Sequence, residues 1–254
     1  MLTPFTGTIA SVLAVSAISL VGILTLSINE KLLRRGIFAL VALAAGSLFG
    51  DALLHLIPEI FESAAEPTTA ALWILVGIIV LFALEKFLHW DHHHELDSCP
   101  DCDHSHIHPL GKINLVADGL HNFLDGIAIA ASFLASIPLG LATTLAVILH
   151  EIPQEIGDFG ILLHAGYSKR QALWFNLLSA LAAVLGALLV FALGTQLVAV
   201  QSILLPLAAG SFLYIAGSDL VPELHKTRDL KKSLIQAVAF ILGIGLMYLL
   251  LWLE

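Results

Sequence analysis

The chain has 254 residues, of which 58% are hydrophobic and 12% charged, with a mean hydropathy of +0.94. A soluble globular domain carries about 25% charged residues, so that class is excluded. Twenty acidic residues against 11 basic ones give a net charge of −9, and nucleic acid, which requires a basic footprint, is excluded as a partner.

A spanning helix needs about 20 mostly apolar residues. Eight such runs are present, at roughly 6–28, 36–60, 69–89, 113–135, 139–165, 171–195, 201–223 and 233–253. The first has no basic n-region and no short h-region, so it is not read as a signal peptide. These runs use most of the chain. The expected fold is therefore a single all-α integral membrane domain over 1–254, with no soluble domain.

The basic residues give the orientation. Lys31, Arg34 and Arg35 lie between spans 1 and 2, and Lys86 and Lys112 flank the link between spans 3 and 4. Lys169 and Arg170 lie between spans 5 and 6; Lys226, Arg228, Lys231 and Lys232 lie between spans 7 and 8. All 11 fall on one side, and positive residues mark the cytoplasmic face. Both termini are thus expected outside.

Span 2 and span 7 share a repeat. Ala44-Ala45-Gly46-Ser47 reappears as Ala208-Ala209-Gly210-Ser211, and Ala52, Leu56, Pro58 and Glu59 match Ala216, Leu220, Pro222 and Glu223. Eight of 16 residues are identical without a gap, whereas the topology sends the two spans in opposite directions. This predicts an inverted repeat of spans 1–3 against 6–8 around a central span 4–5 pair, with the binding site near the repeat interface. Pro58 and Pro222 would free the carbonyls of Leu54 and Ser218, giving a related pair of kinks.

Spans 4 and 5 hold the polar residues. Asp118, His121, Asn122 and Asp125 follow a spacing of i, i+3, i+4 and i+7, within an arc of about 100°. His150, Glu151, Gln154, Glu155 and Asp158 occupy about 140° of span 5. A charge at mid-bilayer costs about 2.5–3.5 kcal/mol, so such groups face one another or a cavity and mark function. Imidazole, carboxylate and carboxamide together suit Zn2+, Fe2+ or Mn2+, with Co2+ and Cd2+ as further candidates. No span contains Cys. Pro153 would free the carbonyl of Leu149, which is tolerable where it lines protein or a wet cavity.

The motifs His121-Asn122-Phe123-Leu124-Asp125-Gly126 and His150-Glu151-Ile152-Pro153-Gln154-Glu155-Ile156-Gly157-Asp158 resemble the span 4 and span 5 signatures of the ZIP (Zrt/Irt-like) metal transporters. Eight spans, outward termini and a His-rich link are similar to the family as well, so the likeness covers the whole chain. It implies import of a divalent metal, most often zinc, into the cytoplasm across a plasma (bacterial inner) membrane, and a homodimer. By that resemblance His121, Asp125, His150 and Gln154 form the principal site, while Asn122 and Glu151 belong to a neighbouring or transit site; Glu155 is counted among the metal residues too.

Two departures stand out. The family branch usually reads His-Glu-x-Pro-His-Glu, but position 154 is Gln, a weaker zinc ligand that gives Fe2+ and Mn2+ ground. Members with a two-metal centre place a carboxylate in span 6, whereas residues 171–195 offer only Gln171, Asn176 and Ser179. A fully formed second site is not expected.

Asp51 and His55 in span 2 and Asp219 in span 7 are pathway candidates, together with Asp118, Asp158 and Asn176. Glu59 and Glu223 are read as interfacial, and His164 and His225 as surface residues near cytoplasmic ends. The link between spans 3 and 4, a cytoplasmic loop over 90–112, belongs to a tract with seven of the 12 His. His92, His93, His94, Cys99, Cys102, His104, His106 and His108 are its candidate ligands, in a pattern that reads as flexible and metal-binding. One Cys-x-x-Cys with nearby His suits a four-ligand zinc site, expected to collect metal without being needed for permeation.

Two alternatives belong to other classes. A zinc protease of the His-Glu-x-x-His type would need His at 154, but a metal-dependent membrane hydrolase of different spacing stays open. So does a metal exporter, because His-rich cytoplasmic loops occur there too.

Overall fold

In a computed structural model the chain is described over residues 3–22, 30–96, 109–193, 200–226 and 228–253, and these are helical apart from short turns. Helix α1 is Pro4–Ile18, closed by a 3-10 turn at Ser19–Val21. Helix α2 (30–63) joins Glu30–Gly50, a π-helical stretch Asp51–Leu56 and Ile57–Ser63. Helices α3, α4 and α5 are Pro67–Leu96, Pro109–Ala135 and Ile137–His164. Helix α6 joins Lys169–Ala180 to Ala182–Ala192. Helix α7 (200–225) contains Leu205–Tyr214 and Val221–His225, preceded by π-helical stretches Val200–Leu204 and Ile215–Leu220 respectively. Helix α8 is Leu230–Leu250 with a last 3-10 turn Leu251–Leu253.

Six of these rods have segments long and apolar enough to cross a bilayer: Pro4–Val21, Phe38–Ser63, Pro67–Leu84, Lys169–Ala192, Ser202–His225 and Leu230–Leu250. The other two, α4 and α5, have 27 and 28 residues and carry the polar arcs. The rods follow the apolar runs, with shifted ends: α3 continues to Leu96 and α4 starts at Pro109.

The expected kinks at Pro58 and Pro222 take the form of π turns. Proline lacks a donor and its ring clashes with the carbonyl four residues back. A wider π turn before the proline absorbs both problems without breaking the rod. Asp51–Leu56 precedes Pro58 and Ile215–Leu220 precedes Pro222, at the same positions of the repeat. Pro153 instead lies inside an α-helical α5.

Between membrane helices close packing replaces the hydrophobic drive, and small residues let backbones approach. Three helix pairs use glycine reciprocally. A Cβ on Gly46 would overlap the Phe240 carbonyl and one on Gly243 the Leu43 carbonyl, joining α2 to α8. Gly77 and Gly210 do the same between α3 and α7, against Leu207 and Ile74. Gly126 and Gly186 join α4 to α6, against Ala183 and Phe123. Ser16 Oγ donates to the Ala180 carbonyl at 2.8 Å, linking α1 to α6. The main apolar core, with Val12, Leu48, Ile129, Phe133, Val147, Phe212 and Met247, surrounds α4 and α5.

Candidate metal centre

Helices α4 and α5 are joined by a tight turn. Ser136 has an extended backbone and accepts from the Leu139 N–H at 3.1 Å, with Pro138 in the first turn of α5, an N-cap followed by a proline where no helical donor is missed. Thr143 Oγ1 and Ser132 Oγ, 3.0 Å apart, couple the two helices beyond the turn. The hairpin brings the two polar arcs face to face.

His121, Asp125, His150 and Glu151 come together, with ligand atoms all within 4.8 Å of one another. The His150 Nε2 lies 3.2 Å from His121 Nε2, 3.2 Å from Asp125 Oδ2 and 3.4 Å from Glu151 Oε1. His121 Nε2 lies 3.5 Å from Glu151 Oε1 and 3.8 Å from Asp125 Oδ2. Zinc bonds to N and O of about 2.0–2.1 Å in a tetrahedron put ligand atoms about 3.3–3.4 Å apart. The observed separations lie around that value. The set therefore fits a four-coordinate divalent cation.

The local chemistry supports this fit. His150 Nδ1 donates to the Ala146 carbonyl at 3.2 Å, an anchor that turns Nε2 inward, where its lone pair is available to a metal in the neutral ring. Asp125 Oδ2 and both Glu151 oxygens are buried and receive no hydrogen bond among the described residues. Buried polar atoms are ordinarily satisfied, and a cation supplies what these lack. Phe212 of α7 closes over His150, with ring centroids 6.2 Å apart.

The other polar residues lie beside the cluster. Asn122 Nδ2 donates to Asp118 Oδ1 at 2.8 Å, and Ser179 Oγ donates to Asp118 Oδ2. Asn176 Nδ2 donates to Glu155 Oε2, and Asn114 Nδ2 to Asp158 Oδ1 at 3.0 Å. A cavity of about 230 Å³ adjoins, lined by His121, Gln154, Asp118, Asp158, Asn114 and Asp219 with Leu81, Leu84, Ala117, Leu120, Leu124, Tyr214 and Ile215. Of the four cluster residues, only His121 lines it. Its side chain is 14% exposed, against 2%, 1% and 0% for Asp125, His150 and Glu151.

Not all sequence candidates meet here. Asp51 and His55 are buried on the π stretch of α2, where His55 Nε2 donates to the Met247 carbonyl of α8 at 2.9 Å. Gln171 is spent on a capping box with Ser168 at the start of α6. His92, His93 and His94 lie on the last turns of α3; Cys99, Cys102, His104, His106 and His108 lie outside the described residues. Asn114 was not singled out by sequence reasoning. Its one signal is its position, one helical turn before Asp118 on the same face.

The sequence matches the family described as ZIP zinc transporter over residues 2–114 and 91–251, nearly the whole chain. The chain belongs to the ZIP zinc transporter family. That places it among multi-pass membrane transporters and not among enzymes, which removes the hydrolase reading. The Pongo abelii protein named zinc transporter ZIP13 is 37% identical over 226 residues, covering 83% of this chain and 65% of that protein. The Caenorhabditis briggsae zinc transporter zipt-7.1 is 30% identical over 273 residues, covering 83% and 70%. The Rattus norvegicus zinc transporter SLC39A7 is 31% identical over 303 residues, covering 85% and 65%. This ZIP chain thus spans about two thirds of the length of the first of these relatives.

Proposed function

We propose that this protein imports a divalent cation, zinc before iron(II) or manganese, through a site formed by His121, Asp125, His150 and Glu151. The observation that carries the reading is the separation of the two imidazole Nε2 atoms from each other and from the carboxylate oxygens, 3.2–3.8 Å, close to the edge of a zinc tetrahedron. Two imidazoles and two carboxylates form a borderline donor set, tight enough to select zinc over Mg2+ or Ca2+. Without a thiolate the ion remains releasable. The relatives' printed names, all zinc transporters, support the same cargo.

Import is taken from the family resemblance, and charge placement supplies only the orientation. With basic residues on the cytoplasmic side, Asn114 at the start of α4 and Asp158 near the end of α5 lie toward the cytoplasm, and so does the adjoining cavity. The ion leaves the cluster past His121 into that cavity, where Gln154, Asp118, Asp158 and Asp219 accompany it. A grouping of the helices supports alternating access: the glycine-locked pairs α2–α8 and α3–α7 are taken as one unit, and α4–α6 with α1 and α5 as another. Movement of the second against the first exposes the site to each side in turn. In this reading the repeat is inverted, both termini face outward, and the membrane is the cell's boundary membrane.

The test is zinc uptake by proteoliposomes containing the full chain, in competition with Fe2+, Mn2+, Cd2+ and Co2+ and at two pH values. Saturable zinc accumulation that Mg2+ does not suppress is expected. Loss of metal from preloaded vesicles against the imposed gradient, without uptake, would refute import.

A further inference from the structure

The five carboxylates of α4 and α5 divide by their hydrogen bonds. Asp125 and Glu151 carry three buried oxygens that receive no donor among the described residues, and they face imidazoles. Asp118, Glu155 and Asp158 are each held by at least one neutral donor: Asn122 and Ser179 on the two oxygens of Asp118, Asn176 on one oxygen of Glu155, Asn114 on one oxygen of Asp158, while Glu155 Oε1 and Asp158 Oδ2 receive no hydrogen bond among the described residues. Two of these donors, Asn176 and Ser179, come from α6, which has no acidic residue. Both are buried, and the Gly126–Gly186 contact fixes α6 in register against α4. The spare amide oxygens of Asn122 and Asn176 are buried and have no hydrogen-bond partner among the described residues.

A permeation path must attract the ion at each station yet hold it weakly enough to let it go. A carboxylate already accepting a hydrogen bond keeps its charge but has fewer lone pairs to offer. We propose that Asn176 and Ser179 of α6 are positioning residues that tie back Glu155 and Asp118, so that a divalent cation leaving the four-residue cluster is drawn past these carboxylates without being captured by them. This rests on the metal-import reading above. In structural terms, α6 contributes donors where ligands would create a trap.

The test converts a donor into an acceptor. In Asn176→Asp, Glu155 loses its donor and gains a second carboxylate at hydrogen-bond range. Full-length protein in nanodiscs, dialysed against buffered free Zn2+, is expected to bind one more zinc than wild type. In proteoliposomes, KM and kcat for zinc should each fall about tenfold, the change produced by about 1.4 kcal/mol of extra holding. The swap Asn176→Asp with Glu155→Gln restores one acid and one amide and should remove the additional ion and recover kcat. A role in packing alone would leave the zinc count unchanged. A folded Asn176→Asp protein without the additional ion, or an additional ion that survives the swap, overturns the proposal. Ser179→Asp, with Asp118→Asn as its swap, repeats the test on the second pair if Asn176→Asp fails to insert. Zinc counting needs no transport, so it decides this question even if the uptake assay refutes import.

Discussion

His150 is the residue on which the metal site depends most. Its Nε2 lies within 3.4 Å of a ligand atom of each of the other three cluster members, and no other member has that position. The ring is 1% exposed and its far nitrogen is anchored to the Ala146 carbonyl, so it is held in one orientation. Outer-shell partners of a metal site are typically worth 10–100-fold in affinity. Removing a direct ligand should exceed the upper end, at least about 100-fold or ~2.7 kcal/mol. His150→Ala also opens a void, so His150→Leu is the companion variant that keeps most of the volume while removing the nitrogen. Both are expected to lose zinc uptake in proteoliposomes and to bind one zinc fewer, with elution and thermal unfolding close to wild type for His150→Leu. If folded His150→Leu takes up zinc within about threefold of wild type, a difference under ~1 kcal/mol, the four-residue site is wrong.

Three other outcomes can be measured. Gln154→His places an imidazole in the cavity that His121 also lines, and competition uptake should shift toward zinc; an unchanged metal ranking would show that position 154 does not set selectivity. Gly126→Ala drives a methyl into the Ala183 carbonyl and should cost about 1–3 kcal/mol of stability as overpacking does. Gly157→Ala, with nothing within 4 Å of its Cβ, should be neutral or stabilising; equal melting temperatures for the two in detergent would count against the α4–α6 packing. Deleting 97–108 spares the described helices and should leave uptake intact while lowering the number of zinc ions bound, so abolished uptake by properly inserted protein would make that tract part of the permeation route.

The rods and the polar arcs were legible because a bilayer leaves few alternatives: apolar runs near 20 residues become helices, and ionisable groups inside them must meet one another. The composition of the cluster was less legible. Within α5, Gln154 lies about 40° and Glu151 about 100° from His150, so spacing on one helix ranks Gln154 nearer to His150. How far α5 is turned toward α4 decides the matter, and the turn at Ser136 and the contacts beyond it set that rotation. With it set, Glu151 Oε1 comes within 3.5 Å of His121. Likewise Asn176 and Ser179 stood out as the few polar residues of α6, but their carboxylate partners depend on the register imposed by two glycines on different helices. No single-helix pattern carries that information.

The repeat shows how one local solution serves two purposes. Pro58 and Pro222 each force the same widening of the preceding turn, and the two π stretches coincide in the repeat. Gly46 and Gly210 coincide too, each pressed against a carbonyl of a different partner helix. Backbone geometry is therefore the same in both copies while half of the side chains differ, one of them at a position that matters for the site. At the matching position α2 carries His55, buried and bonded to the Met247 carbonyl of α8, whereas α7 carries Asp219, exposed to the cavity beside His121. The π turn explains why both are tolerated: it rotates the following residues relative to the α-helical face before it. In α2 that rotation aims a donor at a neighbouring backbone and secures the α2–α8 pair. In α7 it aims an acid at the route a cation would take.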